Sequence, residues 1–324
     1  MSNANKTNWL EKLPSISVLG PFMALLLAVI VFSTQSDRFF TAQNFSLILQ
    51  QVMVIGVMAI GQTLVILTAG IDLSCGMVMA LGTMVMSKFA TQLGLPPMLA
   101  ILCGLAVTTG FGFLNGMLIT RIKLPPFIVT LGTLNIAFAL TQIYSSAQTV
   151  TIDAPDSALL VFGNTFSLGS TVINYGVITM ISLYLFVWFI LSQTAPGRHL
   201  YAVGNNPEAA RLTGIPTQRV LLLVYTLAGL IYGLAGWLLI SRTGVGDPNA
   251  GQTDNLETIT AVVLGGTSLF GGRGVIFGTL LGAIIIGVFR NGLTLTGVPS
   301  VFQILITGIL VILAVTADQL SKKK

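Results

Sequence analysis

The sequence predicts an all-α protein, folded as a polytopic membrane helical bundle with about ten transmembrane helices. Of its 324 residues, 54% are hydrophobic and only 8% are charged, whereas soluble domains carry about 25% charged residues. Ten apolar segments approach the ~20 residues that an α-helix needs to cross the hydrocarbon. All prolines except Pro21 fall between these segments or at their edges, as expected of residues that interrupt helices.

The first apolar segment has Pro21 in its first turn, where proline is tolerated. No Ala-x-Ala-like cleavage site follows it, so we expect an uncleaved span rather than a signal peptide. Paired prolines at 96–97 and 125–126 open the fourth and fifth segments. The eighth and ninth segments are short, and we expect them to be broken, tilted or partly re-entrant. The predicted spans are 18–34, 50–69, 76–93, 98–120, 127–146, 172–193, 219–241, 256–271, 275–290 and 300–317.

The distribution of Lys and Arg predicts the orientation in the membrane, since basic residues are concentrated on the cytoplasmic side. With ten spans and the N-terminus inside, most of the 15 basic residues lie in cytoplasmic segments, and both termini are cytoplasmic. The predicted organisation is a tail at 1–17, a transmembrane domain at 18–317 and a tail at 318–324. The basic residues on the outer side are Arg38, Lys88, Arg242 and Arg290.

The composition excludes several function classes. The net charge of +5 is spread along the chain, so membrane lipid rather than nucleic acid is the expected surrounding. The single histidine cannot form a usual zinc site, and Cys75 and Cys103 lie in apolar segments. We therefore predict no metal, no cofactor and no catalytic residue. The sequence also has no Gly-x-x-x-x-Gly-Lys loop for binding ATP.

The predicted cytoplasmic loop at 195–218 contains a short capped helix. Asn206 is suited to accept hydrogen bonds from free N–H groups as the N-cap, and Pro207 suits the first helical position. Glu208 lies at the positive end of the helix dipole. Gly214 can adopt the left-handed conformation that ends a helix, and Pro216 prevents continuation. Two interpretations remain open, a docking surface for another protein and an ordinary solvated loop.

Asp72 is the strongest polar residue within the apolar part of the chain. A carboxylate in the bilayer costs about 2.5–3.5 kcal/mol on insertion scales. Gly70 before it and Ser74 after it indicate an interrupted helix. Asp72 could cap the next helix by accepting from the N–H groups of residues 74–75, or it could line a translocation pathway. Both roles are compatible, because broken helices at membrane depth are buried or line water.

Uncharged polar residues open the fifth span. Thr130 and Thr133 are three residues apart and share a helix face, and Asn135 adds an amide. Weak hydrogen-bonding groups without fixed charge suit a pathway for a neutral polyol. Hydrogen bonding between helices is the alternative explanation, and the same two interpretations are open for Gln62, Asn115 and Gln142.

Small residues and one short internal similarity complete the pattern. Glycine pairs at 110 and 112 and at 278 and 282 predict close helix packing. Residues 65–74 resemble residues 262–269, since both are apolar runs that end at small and polar residues. Internal repeats are common in transporters, but this similarity is too short to define one.

Taken together, these motifs resemble the permease subunits of ABC sugar importers of the ribose, xylose, arabinose and galactose type. The resemblance spans about residues 18–317 and is specific for the family rather than for the sugar. In place of a longer Ile-x-Leu-Pro ending, the chain has Ile215-Pro216-Thr217. The matching segments are 67–74, 126–133, 197–215 and 261–274.

The resemblance implies an ABC ATPase subunit on the cytoplasmic side, a periplasmic sugar-binding protein outside and a second permease subunit. It favours a docking surface over a solvated loop at residues 195–218. A secondary carrier or facilitator for a small polar solute is the alternative function. An integral membrane enzyme is disfavoured because no nucleophile, base or metal set is recognisable. The predicted ATPase-coupling residues are Asn206, Glu208, Ala209, Ala210, Arg211, Leu212 and Gly214; the predicted pathway residues are Asp72, Ser74, Thr130, Thr133 and Asn135.

Overall fold

The computed structural model describes residues 16–154, 157–169 and 171–321. Residues 1–15 of the predicted N-terminal tail and 322–324 of the predicted C-terminal tail lie outside the described residues. The described chain is mainly helical, and its helices are α1 (Ile16–Gln35), α2 (Ala42–Leu67), α3 (Cys75–Thr91), α4 (Pro97–Arg121), α5 (Pro126–Ser145), α6 (Tyr175–Gln193), α7 (Ala195–Asn205), α8 (Pro207–Leu212), α9 (Thr217–Thr243), α10 (Asp254–Leu264), α11 (Ile276–Leu295) and α12 (Ser300–Ser321).

The predicted class, a polytopic helical membrane protein, is confirmed. Within the described residues, six helices are long and apolar enough to cross a membrane, namely α2, α4, α5, α6, α9 and α11. Shorter apolar helices cover Gly20–Gln35, Cys75–Thr91 and Ser300–Ile309. The total of about ten spans stays a prediction.

Two helices differ from the spans predicted for them. The eighth span, predicted at 256–271, is a helix only over the 11 residues of α10, about 16 Å at 1.5 Å per residue, because Gly265 and Gly266 end it. The ninth is not short, since α11 has 20 residues. It continues past Arg290, whose charge pairs with Glu257 at 3.2 Å.

The core is built around α2. In the apolar stretch of 18 residues within α2, 83% of the residues are buried. The corresponding value is 28% for both α4 and α5, so α2 is central and the other two are peripheral. α2 packs against α6, α9, α10 and α11, and α4 packs along α9. The helix starts eight residues before the predicted span, because the Thr41 hydroxyl accepts a hydrogen bond from Asn44 N–H at 3.2 Å and caps it.

Among the described residues, four short strands, which the sequence did not predict, lie in the connecting segments. Strands β1 (Val150–Thr151) and β4 (Val245–Gly246) pair antiparallel, as do β2 (Thr165–Leu168) and β3 (Thr171–Asn174). A 3-10 helix covers Ala158–Gly163. The β1–β4 pair brings together two loops that were predicted to lie on the same outer side. We call this the sheet end of the molecule.

The opposite end, which we call the α8 end, brings together segments that were predicted to share one side of the membrane. Gly272 N–H donates to the Leu67 carbonyl at 3.0 Å, and the Tyr201 hydroxyl donates to the Gly274 carbonyl at 2.9 Å. These bonds join the end of α2, helix α7 and the turn between α10 and α11. All three were predicted to lie on the cytoplasmic side.

The internal similarity has a structural counterpart at the ends of α2 and α10. In α2, Ala69 N–H bonds to the Ile66 carbonyl and Gly70 N–H bonds to the Val65 carbonyl. The equivalent bonds in α10, 197 positions later, join Gly266 to Val263 and Thr267 to Val262. Ala69 has φ 60° and Gly266 has φ 84°. The two helices therefore end in the same left-handed cap.

Glycine packing follows the prediction only in part. A Cβ placed on Gly112 would meet the Tyr225 carbonyl and the Gly229 backbone, so α4 and α9 touch there without side chains. Gly278 and Gly282 likewise lie against the backbone of α10. The prediction was wrong for Gly110, since a Cβ there would meet nothing within 4 Å.

This difference gives a matched test. We expect Gly112→Leu to destabilise the protein by about 1–3 kcal/mol, because overpacking forces neighbouring backbone apart. Gly110→Leu adds the same side chain two residues away in open space and should change little. Thermal unfolding of the purified variants in detergent measures both. Equal melting temperatures for the two variants would contradict the packing described.

Candidate functional site

Helix α8 begins with the cap that the sequence predicted. The Asn206 side chain accepts hydrogen bonds from Glu208 N–H at 3.1 Å and from Ala209 N–H at 2.9 Å. Pro207 occupies the first helical position. These bonds satisfy two of the four N–H groups that a helix start leaves free. The cap thus fixes where this short helix begins.

The end of α8 is equally defined. Gly214 has φ 89°, in the left-handed region, and a Cβ would be strained there. Ile215 N–H donates to the Ala210 carbonyl at 3.0 Å across this turn. Helix α9 then begins at Thr217, directly after Pro216. Both predicted boundaries of α8 are confirmed.

The surface of α8 presents charges and one large apolar side chain. Arg211 bonds to Glu208 at 2.6 Å, and both side chains are exposed. The Arg211 guanidinium lowers the pKa of the Glu208 carboxyl, first through this hydrogen bond and then through its charge. Leu212 is 76% exposed, whereas Ala210 is buried against the protein. Of the predicted coupling residues, Ala210 therefore anchors the helix, while Glu208, Arg211 and Leu212 face outward.

Helix α7, which the sequence did not predict, joins α8 to the interior. Its Gly204 lies so close to the Leu67 carbonyl and to Gly272 N–H that a Cβ would overlap both. A Cβ on Gly271 would in turn meet Ala69 N and the Gly204 carbonyl. We call the contact of Leu67, Gly204, Gly271 and Gly272 the glycine junction. It places the backbone of three separate segments in direct contact.

Beyond the glycine junction, the chain is extended between α2 and α3, and Asp72 lies in this break. Its Oδ1 accepts from Ser74 N–H at 2.8 Å and from the Ser74 hydroxyl at 2.6 Å. The expected bond to residue 74 is therefore present, although Ser74 itself is the N-cap residue of α3. Asp72 is 1% exposed. Its two described bonds both hold the start of α3 in place.

Further polar side chains surround Asp72. Asn115 Nδ2 donates to the Ser74 hydroxyl at 3.1 Å, and the Tyr232 hydroxyl donates to Gln62 Oε1 at 3.2 Å. The Tyr225 hydroxyl lies against Gly70. All of these residues are buried. We call this group the break cluster; it consists of Gln62, Asp72, Ser74, Asn115, Tyr225 and Tyr232.

The break cluster has unused hydrogen-bonding capacity. Three of its buried atoms, Gln62 Nε2, Asn115 Oδ1 and Tyr225 Oη, have no partner among the described residues. Buried polar groups without a partner are uncommon and usually indicate strain, function or an ordered water molecule. The cluster therefore keeps one donor, one acceptor and one hydroxyl that no described residue uses.

The structure brings only some of the predicted pathway residues together. The Thr130 hydroxyl donates to the Ile71 carbonyl at 3.1 Å and so reaches the break. Thr133 is buried and bonds to the carbonyls of its own helix. Asn135 is exposed and bonds to the Leu131 carbonyl at 2.9 Å. Asp72, Ser74 and Thr130 thus share one place, whereas Thr133 and Asn135 lie apart from it.

Sequence reasoning missed two members of the break cluster. Tyr225 and Tyr232 lie on α9, far along the chain from Asp72. A signal was available, because residues seven apart lie on one face of a helix. Two phenol groups on one face of an apolar helix indicate a polar contact inside the bundle, since a buried Tyr hydroxyl usually finds a partner.

The chain matches a known family model over residues 44–315. The model describes the permease component of branched-chain amino acid transport systems. The chain belongs to this family of transport permeases. This match gives the functional class of the permease. The helical fold alone would not give it, since one fold can support many functions.

Individual relatives are similar over nearly their whole length. The permease is 48% identical to the fructose import permease protein FrcC of Rhizobium meliloti over 94% of its own chain and 85% of that relative. It is 42% identical to the ribose import permease protein RbsC of Bacillus subtilis, over 93% and 92% of the two chains. It is 36% identical to the D-allose transport system permease protein AlsC of Escherichia coli, over 94% and 92%.

The break cluster yields a test of the role of Asp72 in the permease. We expect Asp72→Asn to fold and transport appreciably, because its amide oxygen still accepts from Ser74 N–H. Asp72→Leu leaves that N–H group buried without a partner, which costs about 1–3 kcal/mol. Thermal unfolding and solute uptake in vesicles measure the two effects.

The control is Asp37→Leu, which removes an exposed carboxylate without a described bond. It should behave like the unaltered permease. If Asp72→Asn were as damaging as Asp72→Leu, the negative charge rather than the cap would be what matters. If Asp72→Leu were harmless, the hydrogen bonds to Ser74 would have no measurable role.

Proposed function

We propose that this permease is the membrane-spanning subunit of an ATP-binding-cassette importer that carries a monosaccharide. The support comes from relatives named for the import or transport of fructose, ribose and allose, which are 36–48% identical across nearly the whole chain. ATP hydrolysis takes place on a separate ATPase subunit. A periplasmic binding protein delivers the sugar, and a second permease subunit, identical or related, completes the membrane part.

The geometry of α8 is the single observation that carries the ATPase-coupling part of the proposal. Its ends are fixed by caps, its inner face is anchored through Ala210, and its outer face presents Glu208, Arg211 and Leu212. A protein interface combines an apolar centre with a polar rim, and Leu212 beside Glu208 and Arg211 has this arrangement on a small scale. The ATPase subunit would bind there.

The glycine junction supplies a path from α8 to the interior. Movement of α7 and α8 would press Gly204 directly on the Leu67 carbonyl at the end of α2. Close-packed backbone transmits displacement because no side chain can rotate out of the way. Five residues beyond Leu67 lies Asp72, so the same movement would reach the break cluster.

For the pathway, the proposal places Asp72, Ser74 and Thr130 at the break beside the route of the sugar. Asn135 lies on the exposed face of α5, where a second permease subunit would cover it. Thr133 would contribute through the packing of α5. Apart from Asp72, these hydrogen-bonding groups are uncharged and suit a neutral sugar, since they bind it weakly enough to release it.

The proposed location is the bacterial inner membrane, with both termini and the α8 end in the cytoplasm. The excess of Lys and Arg in the α8-end segments supports this orientation. The contacts within the sheet end and within the α8 end support the assignment of successive loops to opposite sides of the membrane. They are compatible with either absolute direction, which therefore needs its own test.

Reconstitution tests the coupling. The permease is placed in vesicles with a candidate ATPase subunit and a candidate sugar-binding protein from the same organism, and uptake of labelled fructose and ribose is followed with and without ATP. We expect uptake only with ATP and both partners. A secondary carrier would instead transport the sugar without an ATPase, and that result would overturn the proposal.

Within the same system, Leu212→Glu should lower ATP-driven uptake by about tenfold, because loss of one well-packed apolar anchor typically costs 1–2 kcal/mol at an interface. Gln218→Glu is the matched control, since it adds the same charge at an exposed position of the same end. Binding of the ATPase to each variant is measured by co-purification. Equal uptake by the two variants would show that α8 is not the docking surface.

Orientation is tested with single cysteines at two exposed positions. In intact cells, a membrane-impermeant maleimide should label Asn249→Cys at the sheet end and leave Gln218→Cys at the α8 end unlabelled. Permeabilised cells provide the control, because both positions should then react. Labelling of position 218 from outside, with position 249 protected, would reverse the orientation.

A further inference from the structure

A cavity of about 530 Å³ opens at the sheet end, between α2, α9, α10 and α11. Its volume lies within the roughly 300–1,000 Å³ typical of small-molecule sites. The short α10 creates it, because the chain enters α10 from a loop that descends below the sheet end. The polar residues that line it are Gln51, Arg242, Thr243, Asp254, Arg290 and Thr294.

The charged groups of this cavity keep hydrogen-bonding capacity. The carboxylate of Asp254 makes no hydrogen bond or ion pair with the residues that the structure describes. Arg242 donates once, to the Gln50 carbonyl at 3.4 Å, and Arg290 donates once, to Glu257 at 3.2 Å. A guanidinium has five N–H donors. Two guanidinium groups with unused N–H donors and one carboxylate without a described partner therefore face the same cavity.

The charges also restrict what the cavity can bind. The positive charge of Arg290 is offset by Glu257, and that of Arg242 is offset across the cavity by Asp254. The site is thus close to neutral overall, which disfavours an anion or a cation. Separated donors and acceptors in a neutral site match a solute with several hydroxyl groups, since each hydroxyl both donates and accepts.

The floor of the cavity rests on the break between α2 and α3. The carbonyl of Gly251, a lining residue, lies where a Cβ on Gly76 would be. Asn255 Nδ2 donates to the Leu73 carbonyl at 3.2 Å. Residues at the cavity therefore contact positions 73 and 76, which lie within four residues of Asp72 along the chain. Charged side chains at membrane depth generally mark such pathways.

We propose that this sheet-end cavity is a transient binding site for a neutral polyhydroxylated solute on its way into the membrane part of the permease. Asp254 accepts hydrogen bonds from hydroxyl groups of the solute, and Arg242 and Arg290 donate to its oxygen atoms. The described lining contains no aromatic ring on which a sugar could stack, so binding is weak and release is easy. The choice of a sugar rests on the proposed function.

The first experiment detects binding without transport. Thr243→Cys places a thiol in the cavity of the purified permease, and a water-soluble maleimide labels it. Fructose or ribose should slow this labelling, because the bound solute covers the thiol. The controls are Asn249→Cys, at an exposed position that does not line the cavity, and the unaltered permease, whose Cys75 and Cys103 give the background.

The second experiment removes the free acceptor. Asp254→Asn should abolish the protection of Thr243→Cys and lower ATP-driven uptake by about tenfold, since a hydrogen bond to a charged group contributes about 1.5–3 kcal/mol. Asp247→Asn makes the same change in the loop that leads into α10, outside the cavity lining, and should leave both measurements unchanged. If Asp254→Asn fails to fold, the protection of Thr243→Cys alone decides the question.

The outcomes separate the two proposals. If uptake requires ATP and both partners but neither sugar slows the labelling, the cavity is not a solute site and the proposed function stands. If uptake needs no ATP but the sugars protect Thr243→Cys, the cavity binds solute and ATP-driven import is wrong. Protection that persists in Asp254→Asn would overturn the assigned role of Asp254.

Discussion

The architecture depends on one constraint, the need to satisfy backbone polar groups where the chain leaves α2 and has not yet entered α3. Water is scarce at membrane depth, so every N–H and C=O group of the break needs a partner in the protein. The partners come from different parts of the fold. Asp72 binds Ser74 N–H, Thr130 binds the Ile71 carbonyl, Asn255 binds the Leu73 carbonyl, and Gly272 N–H binds the Leu67 carbonyl. Satisfying the break thus ties α5, α10 and the turn after α10 to the central helix.

The same device occurs twice. Helices α2 and α10 end in the same left-handed cap, at positions 197 residues apart. The two caps face the α8 end, and Gly272, which follows the second, bonds directly to Leu67, which precedes the first. This pairing supports an internal relationship between the two segments, as is common in transporters. It also explains why α10 is short, since its cap fixes its end while a descending loop fixes its start.

These features form one continuous column through the permease. The loop that lines the sheet-end cavity contacts the start of α3, and the break cluster surrounds the break that precedes α3. The glycine junction joins the end of α2 to α7, which leads into α8. In the proposed importer, solute enters at the top of this column and the ATPase acts at its base. Both would act on the same break, so closure of one side can be linked to opening of the other through a short path of packed backbone.

The sequence alone determined the features that depend on local spacing and composition. The helical membrane class follows from long apolar runs, and the cap of α8 follows from Asn206, Pro207 and Gly214, because each acts on N–H or C=O groups within a few residues. The bond from Ser74 N–H to Asp72 is local in the same way. These predictions needed no knowledge of how the helices pack.

Only the tertiary structure decided which distant residues meet. Thr130 and Thr133 share a face of α5, yet one reaches the break and the other bonds within its own helix. Tyr225, Asn115 and Asp72 come from three separate segments, and the cavity combines Arg242, Asp254 and Arg290 from three helices. In an apolar sequence many rotations of each helix bury similar area, so composition leaves the rotation open. Close contacts such as Gly112 with Gly229 select one rotation, and that selection forms the sites.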